Sequence, residues 1–151
     1  MGSNEAALKM VRQSKFPAYK VISRYHSYHG ATPAGAAMTG DPRRWYAELA
    51  RTVVDGVCFA PDNYCYRCPF GSSYPACGVA CAHELAKAIS REGGADSISA
   101  FIAEPVVGTS ATGLTPPPEY YPIIRDICDK HDILFIRDEV ITGCGRTGKN
   151  F

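Results

Sequence analysis

The chain has 151 residues, 46% of them hydrophobic and 21% charged, with a formal net charge of +1; this suits one modest globular core and gives no electrostatic case for nucleic acid or a membrane surface. No apolar run is long enough to span a bilayer, and the start of the chain does not read as a signal peptide. Seven cysteines, an odd number, argue against a fully paired disulfide framework and for reduced thiols in a cytoplasmic protein.

Asn4 to Ser14 reads as a helix, with Ala6, Ala7, Leu8, Met10 and Val11 as strong helix formers or apolar positions and Ser3 or Asn4 as N-cap. Pro17 ends it, and Val21 to Tyr25 follows as a short strand leading into His26-Ser27-Tyr28-His29-Gly30. Thr32 to Gly40, small and glycine-rich, reads as a short helix before the turn at Asp41-Pro42. Arg43 to Ala50 reads as a helical turn or two, its lone Trp45 as core or interface, and Val57 to Pro61 as an extended piece.

The spacing Cys65-x-x-Cys68, then Cys77-x-x-x-Cys81, is close to that of a structural zinc site, although the second pair is stretched by one residue. Against metal, Val79, Ala82, Leu85, Ala86 and Ile89 place Cys81 on a helix of ordinary amphipathic spacing, with His83 on its surface. Free or buried thiols are favoured over a metal site, and a disulfide comes last. A small zinc-binding or interaction module built on these four cysteines is the alternative reading of the chain.

Glu92-Gly93-Gly94 stops that helix, and Ile98 to Ala103 is a buried strand ending at Glu104. After Pro116-Pro117-Pro118, Tyr120, Ile123, Ile124, Ile127 and Cys128 fall on one helical face; Glu119 at its start and Lys130 and His131 at its end suit the helix dipole. Ile133 to Ile136 is too short for a helix and reads as a strand buried on both faces, followed by Arg137-Asp138-Glu139 and a loop with Gly143, Gly145 and Gly148. Strand, helix and strand make a βαβ unit, so the strands ending at Glu104 and Asp138 are expected as parallel neighbours with both carboxylates on one edge. Open α/β sheets bind ligands at that edge. On spacing alone, an acidic pair that caps a helix or meets solvent reads equally well.

The stretch ILFIRDEVITGCGRTG, with AEPVVG at 103–108 and SYHG at 27–30, resembles the class III pyridoxal-phosphate aminotransferases of fold type I. The resemblance implies an α/β, three-layer sandwich around a mostly parallel sheet, with residues 1–151 forming part of the large cofactor-binding domain and 61–82 a Cys-rich insertion near the active-site entrance. It implies that Asp138 pairs with the pyridine nitrogen of pyridoxal 5'-phosphate and keeps it protonated. Tyr28 and Val140 would take the two ring faces, His29 would shape the pocket, and Glu104 would orient its neighbours. Val140 is expected on the same side as Asp138 by strand alternation. NEAALKM at 4–10 resembles the helix after the family's phosphate-binding turn, but Gly2-Ser3 is short by two residues, so the phosphate role is not carried over. Arg137, Ile141 and Cys144 depart from the family pattern, and Thr109 stands where relatives acting on ornithine or 4-aminobutyrate carry Glu.

Transfer of an amino group from an amine or ω-amino acid to a keto acid such as pyruvate is the implied activity, in a homodimer. The family's cofactor-bearing lysine falls downstream of the glycine loop, and none of the six lysines here matches its motif, so this piece is expected to be inactive alone. Relatives that decarboxylate, racemise or shift amino groups share these signatures, and a non-catalytic truncated paralogue is a further reading.

Overall fold

Four short strands form one parallel sheet in the computed structural model, which describes residues 2–52 and 54–151. The strands are β1 (Lys20–Arg24), β2 (Val57–Ala60), β3 (Ile98–Ala103) and β4 (Leu134–Arg137), in the order β2-β1-β3-β4. β3 and β4 are parallel neighbours, Ala103 opposite Arg137, as the βαβ pattern requires. From β1 the chain goes outward to β2, and from β3 it goes the other way to β4. The reversal point therefore lies between β1 and β3, where connecting loops splay apart and leave a crevice at the carboxyl edge.

Helices cover both faces. α4 (Ala80–Arg91) and α5 (Tyr120–Lys130) pack on one side, where Ala82, Leu85, Ile89, Tyr120, Ile124 and Cys128 meet Ile22, Phe101 and Ala103. α1 (Gly2–Ser14) and α2 (Pro33–Met38) cover the other, with Leu8, Val11, Ala34 and Met38 against Val21, Ala100 and Ile102. From Ala100 to Ala103 alternate residues of β3 thus feed two separate cores, which is why that stretch is apolar on both faces, while buried Ser99 donates to the Lys20 carbonyl at 2.9 Å. Each large side chain so buried contributes about 1.5–3 kcal/mol before entropy is counted. α3 (Arg44–Leu49) lies outside both cores. Among the described residues no helix is long and apolar enough to cross a membrane.

Three expectations are corrected. β4 is not buried on both faces: Leu134 is 37% exposed and Phe135 and Ile136 are half-buried, because among the described residues β4 has a strand partner on one side only. Trp45 is not in the core: it is 56% exposed, on a helix with no buried residue. Neither Ser3 nor Asn4 caps α1, which begins at Gly2, so Asn4 lies in its first turn with its side chain free for another task.

Candidate active site

At the carboxyl edge, a cleft of about 360 Å³ is lined by residues from five places in the chain: Asn4 on α1, Tyr28 and His29 after β1, Arg43 beside α3, Glu104 after β3, and Asp138 and Val140 after β4. All five residues that the sequence singled out are present. The sheet explains the convergence, since three adjacent parallel strands end there: Ala103 lies opposite Arg137, so Glu104 and Asp138 leave side by side, and the loop after β1 brings Tyr28 and His29 against them.

Asp138 is buried and fully engaged. Its Oδ2 accepts from His29 Nδ1 at 2.8 Å and from Asn4 Nδ2 at 2.9 Å, and its Oδ1 accepts from the Val140 amide at 3.2 Å. Burial alone would raise its carboxyl, but the hydrogen bonds from His29 and Asn4, with the Val140 amide, more than offset this and hold it below its ordinary value. Burial conversely pushes the His29 imidazole down, against the pull of Asp138. A neutral ring donating from Nδ1 to an ionised carboxylate satisfies both directions, and leaves Nε2, buried and without a partner, as an acceptor.

The backbone around His29 is fixed as closely. Its amide donates to Thr39 Oγ1 at 3.0 Å, and Thr39 Oγ1 donates to the Gly35 carbonyl at 2.8 Å. A Cβ on Gly35 would stand 2.7 Å from the His29 carbonyl oxygen, so α2 reaches this close only with glycine there. Glu5 holds the other end of α2, accepting from the Ala34 amide at 2.9 Å, where a carboxylate suits the helix dipole.

Glu104 has one hydrogen bond, from the Tyr28 amide to Oε1 at 3.3 Å, while Oε2 is buried with no partner. Burial pushes its carboxyl up to about 7, against the Tyr28 amide and Arg24, and Asp138 adds to the rise. Beneath it Arg24, wholly buried, donates to Asn63 Oδ1 at 2.6 Å and to the Glu104 carbonyl at 2.9 Å, and lies over the Tyr120 and Tyr121 rings. That carbonyl also accepts from the Tyr121 hydroxyl. The backbone at Glu104 is therefore tied down while its carboxyl group is left under-partnered.

Val140 lies in a turn, since β4 stops at Arg137, so strand alternation does not place it. It is 80% exposed at the cleft. Reading the sequence missed three residues. Asn4 left a faint trace as a poor helix former among strong ones. Arg24 was visible as a charge closing an apolar strand. Arg43 left none: its guanidinium stacks 3.9 Å over the Tyr28 ring, donates to Ser110 Oγ at 3.0 Å, and is held by Asp41, whose Oδ1 accepts from the Arg43 amide at 2.9 Å.

The four clustered cysteines line a different pocket, which shares no residue with this cleft.

A family model described as aminotransferase class-III matches residues 2–151. The chain is 39% identical over 154 residues to a putrescine–pyruvate aminotransferase of Pseudomonas aeruginosa, covering 99% of this chain and 33% of that protein. It is 34% identical over 149 residues to a leucine/methionine racemase of Thermococcus litoralis, with the same two coverages. Among solved structures it resembles an amine transaminase from an uncultivated Pseudomonas species in its PLP-bound form, at TM-score 0.86 and 34% identity over 97% of this chain and 34% of that one. The chain thus spans about a third of the length of the relatives it matches.

Proposed function

The chain belongs to the class III aminotransferases, and from that premise we propose that it supplies the cofactor-holding part of a transaminase that moves an amino group from an amine or ω-amino acid to a keto acid such as pyruvate, with pyridoxal 5'-phosphate as cofactor. The observation that carries this reading is Asp138: a buried carboxylate, kept ionised by His29 and Asn4, lining a cleft between an aromatic ring, Tyr28, and an uncovered aliphatic side chain, Val140. That donor set fits the cofactor. A flat ring with a basic nitrogen needs a fixed anion at its edge and apolar surfaces on its faces.

Bound pyridoxal phosphate supplies an electron sink for a carbanion at the substrate carbon. The chain's own residues set the conditions. Asp138 favours a proton on the ring nitrogen, His29 and Asn4 hold Asp138 in place, and Tyr28, with Arg43 stacked on it, offers a flat wall. Glu104 stands at the cleft with its free oxygen as a proton carrier near neutral pH. Residues 61–82 form an insertion near the entrance, and the whole protein acts as a cytoplasmic homodimer.

Absorbance titration with pyridoxal phosphate tests this, using this chain and a version carrying the downstream segment that its relatives possess. Saturable binding that Asp138→Ala weakens, with a lysine-linked cofactor band in the longer protein only, is the expected result. Absence of cofactor binding in both would overturn it. Assay of the longer protein with putrescine and pyruvate, and separately with a single enantiomer of leucine, distinguishes amino transfer from the racemisation carried out by the Thermococcus relative.

A further inference from the structure

Arg24, at the carboxyl end of β1, is the only arginine or lysine buried among the described residues, and is 1% exposed. A guanidinium does not give up its proton, and a buried charge is costly unless it is paired. Among the described residues, however, Arg24 takes part in no ion pair. Its partners are neutral. Nη1 donates to Asn63 Oδ1 at 2.6 Å and Nη2 to the Glu104 carbonyl at 2.9 Å, the Tyr120 and Tyr121 rings lie 5.7 and 6.0 Å away, and Nε has no partner.

The amide at position 63 makes this arrangement more telling. Asn63 is buried, and its Nδ2 has no hydrogen bond, so only its oxygen is in use. An aspartate there would offer the same oxygen, lose no hydrogen bond and neutralise the guanidinium. Asp62, beside it, pairs instead with His26. The cation is thus left uncompensated behind Glu104, whose carboxyl group lines the cleft with Oε2 buried and unpartnered.

We propose that Arg24 is a positioning residue for the cleft, fixing the Glu104 backbone and acting as the counter-charge of its carboxylate, and that Asn63 is a neutral amide so that this charge stays available. Burial opposes the Glu104 anion; the Tyr28 amide, Arg24 and Arg43 favour it, and Asp138 opposes it. Tyr121 on α5 faces the same carboxyl group. Arg43 is already held by Asp41, which leaves Arg24 as the uncompensated cation. After burial, which is the main cause, Arg24 also opposes a charge on His29, as suits a ring donating to ionised Asp138. The use to which Glu104 is put rests on the cofactor-cleft reading above, whereas the pairing with Arg24 exists without the cofactor.

NMR of isotope-labelled glutamate carboxyl carbons in this chain, titrated with pH, tests the pairing directly, the Glu104 signal being assigned by its loss in Glu104→Gln. Its midpoint, about 7 in the wild type, should rise by about one pH unit in Arg24→Met, which removes the cation, and in Asn63→Asp, which neutralises it. Asn63→Ala loses the hydrogen bond to Arg24 without adding a charge, and should leave the midpoint in place or lower it. A merely structural role would move it in the same direction in both Asn63 variants. That result, or a midpoint unmoved in Asn63→Asp, would overturn the proposal. If Arg24→Met does not fold, the two Asn63 variants decide. Titration of the same proteins with pyridoxal phosphate separates the two readings: shifted midpoints without cofactor binding would overturn the cofactor reading alone, and cofactor binding with unmoved midpoints would overturn the role of Arg24 alone.

Discussion

β3 and β4 are neighbouring parallel strands of similar composition, each ending in a carboxylate, yet they differ in burial and in the state of that carboxylate. All six residues of β3 are buried, whereas β4 runs from exposed to half-buried and back to exposed. Glu104, after the buried strand, has one hydrogen bond and a carboxyl raised to about 7. Asp138, one strand over, has three and is held low. The comparison teaches that burial alone does not set a carboxylate's charge. The number of donors brought to it does, and here those donors come from α1, from the loop after β1 and from the turn after β4.

Breaking the packing half of this comparison should give the largest effect. Phe101 on β3 is 1% exposed, and its ring packs against half-buried Phe135 on β4 at 5.7 Å between centroids. Phe101→Ala is expected to cost about 4 kcal/mol of stability, and Phe135→Ala less than half of that, about 1.5 kcal/mol. Urea denaturation of the two variants measures the contrast; equal losses would mean that β4 is covered as thoroughly as β3.

The charge half is tested next by Glu104→Gln. A carboxyl raised from 4.5 to about 7 gives stability that is complete below its unfolded value and lost as pH rises through about 7. At 1.36 kcal/mol per pH unit the loss amounts to about 3 kcal/mol. The Gln variant should therefore be flatter between pH 4.5 and 8, gaining on the wild type at the alkaline end. Parallel stability curves would show that Glu104 reaches water.

Smaller again is the effect expected at the cofactor. Removing the Asp138 carboxylate should weaken pyridoxal phosphate binding by about 2 kcal/mol, roughly thirtyfold, as loss of one charged hydrogen bond does. Glu104→Gln should change it less than threefold by the same reasoning. Equal losses in the two variants would dissolve the distinction between the two carboxylates.

The mildest change sharpens it. Asn4→Ala removes one of the two side-chain donors to Asp138 Oδ2 and should cost about 1 kcal/mol at neutral pH. Because the Asp138 carboxyl is held low, its stabilisation exists above its ordinary value and fades as pH falls through the folded one. The cost of Asn4→Ala should therefore shrink in acid, as stability measured at pH 7 and pH 3 would show. A cost independent of pH would mean that the Asn4 contact to the His29 carbonyl at 2.9 Å matters more than its contact to Asp138.

Much of this molecule was determined by its local sequence. Short apolar runs, the proline before α5, the glycines after α4 and the helix between β3 and β4 lead to a parallel sheet with Glu104 and Asp138 on one edge, because periodicity and chain connectivity act over a few residues at a time. Tyr28 and His29 were legible through family motifs. The tertiary structure alone decided that β4 lies half open, since burial depends on what stands beside a strand and not on the strand's own residues. It also recruited Asn4, 134 residues from Asp138, and stacked Arg43 on Tyr28. Hydrogen bonds and stacking act over about 3–6 Å in space, and nothing in a residue's sequence neighbours records which distant group the fold will bring within that reach.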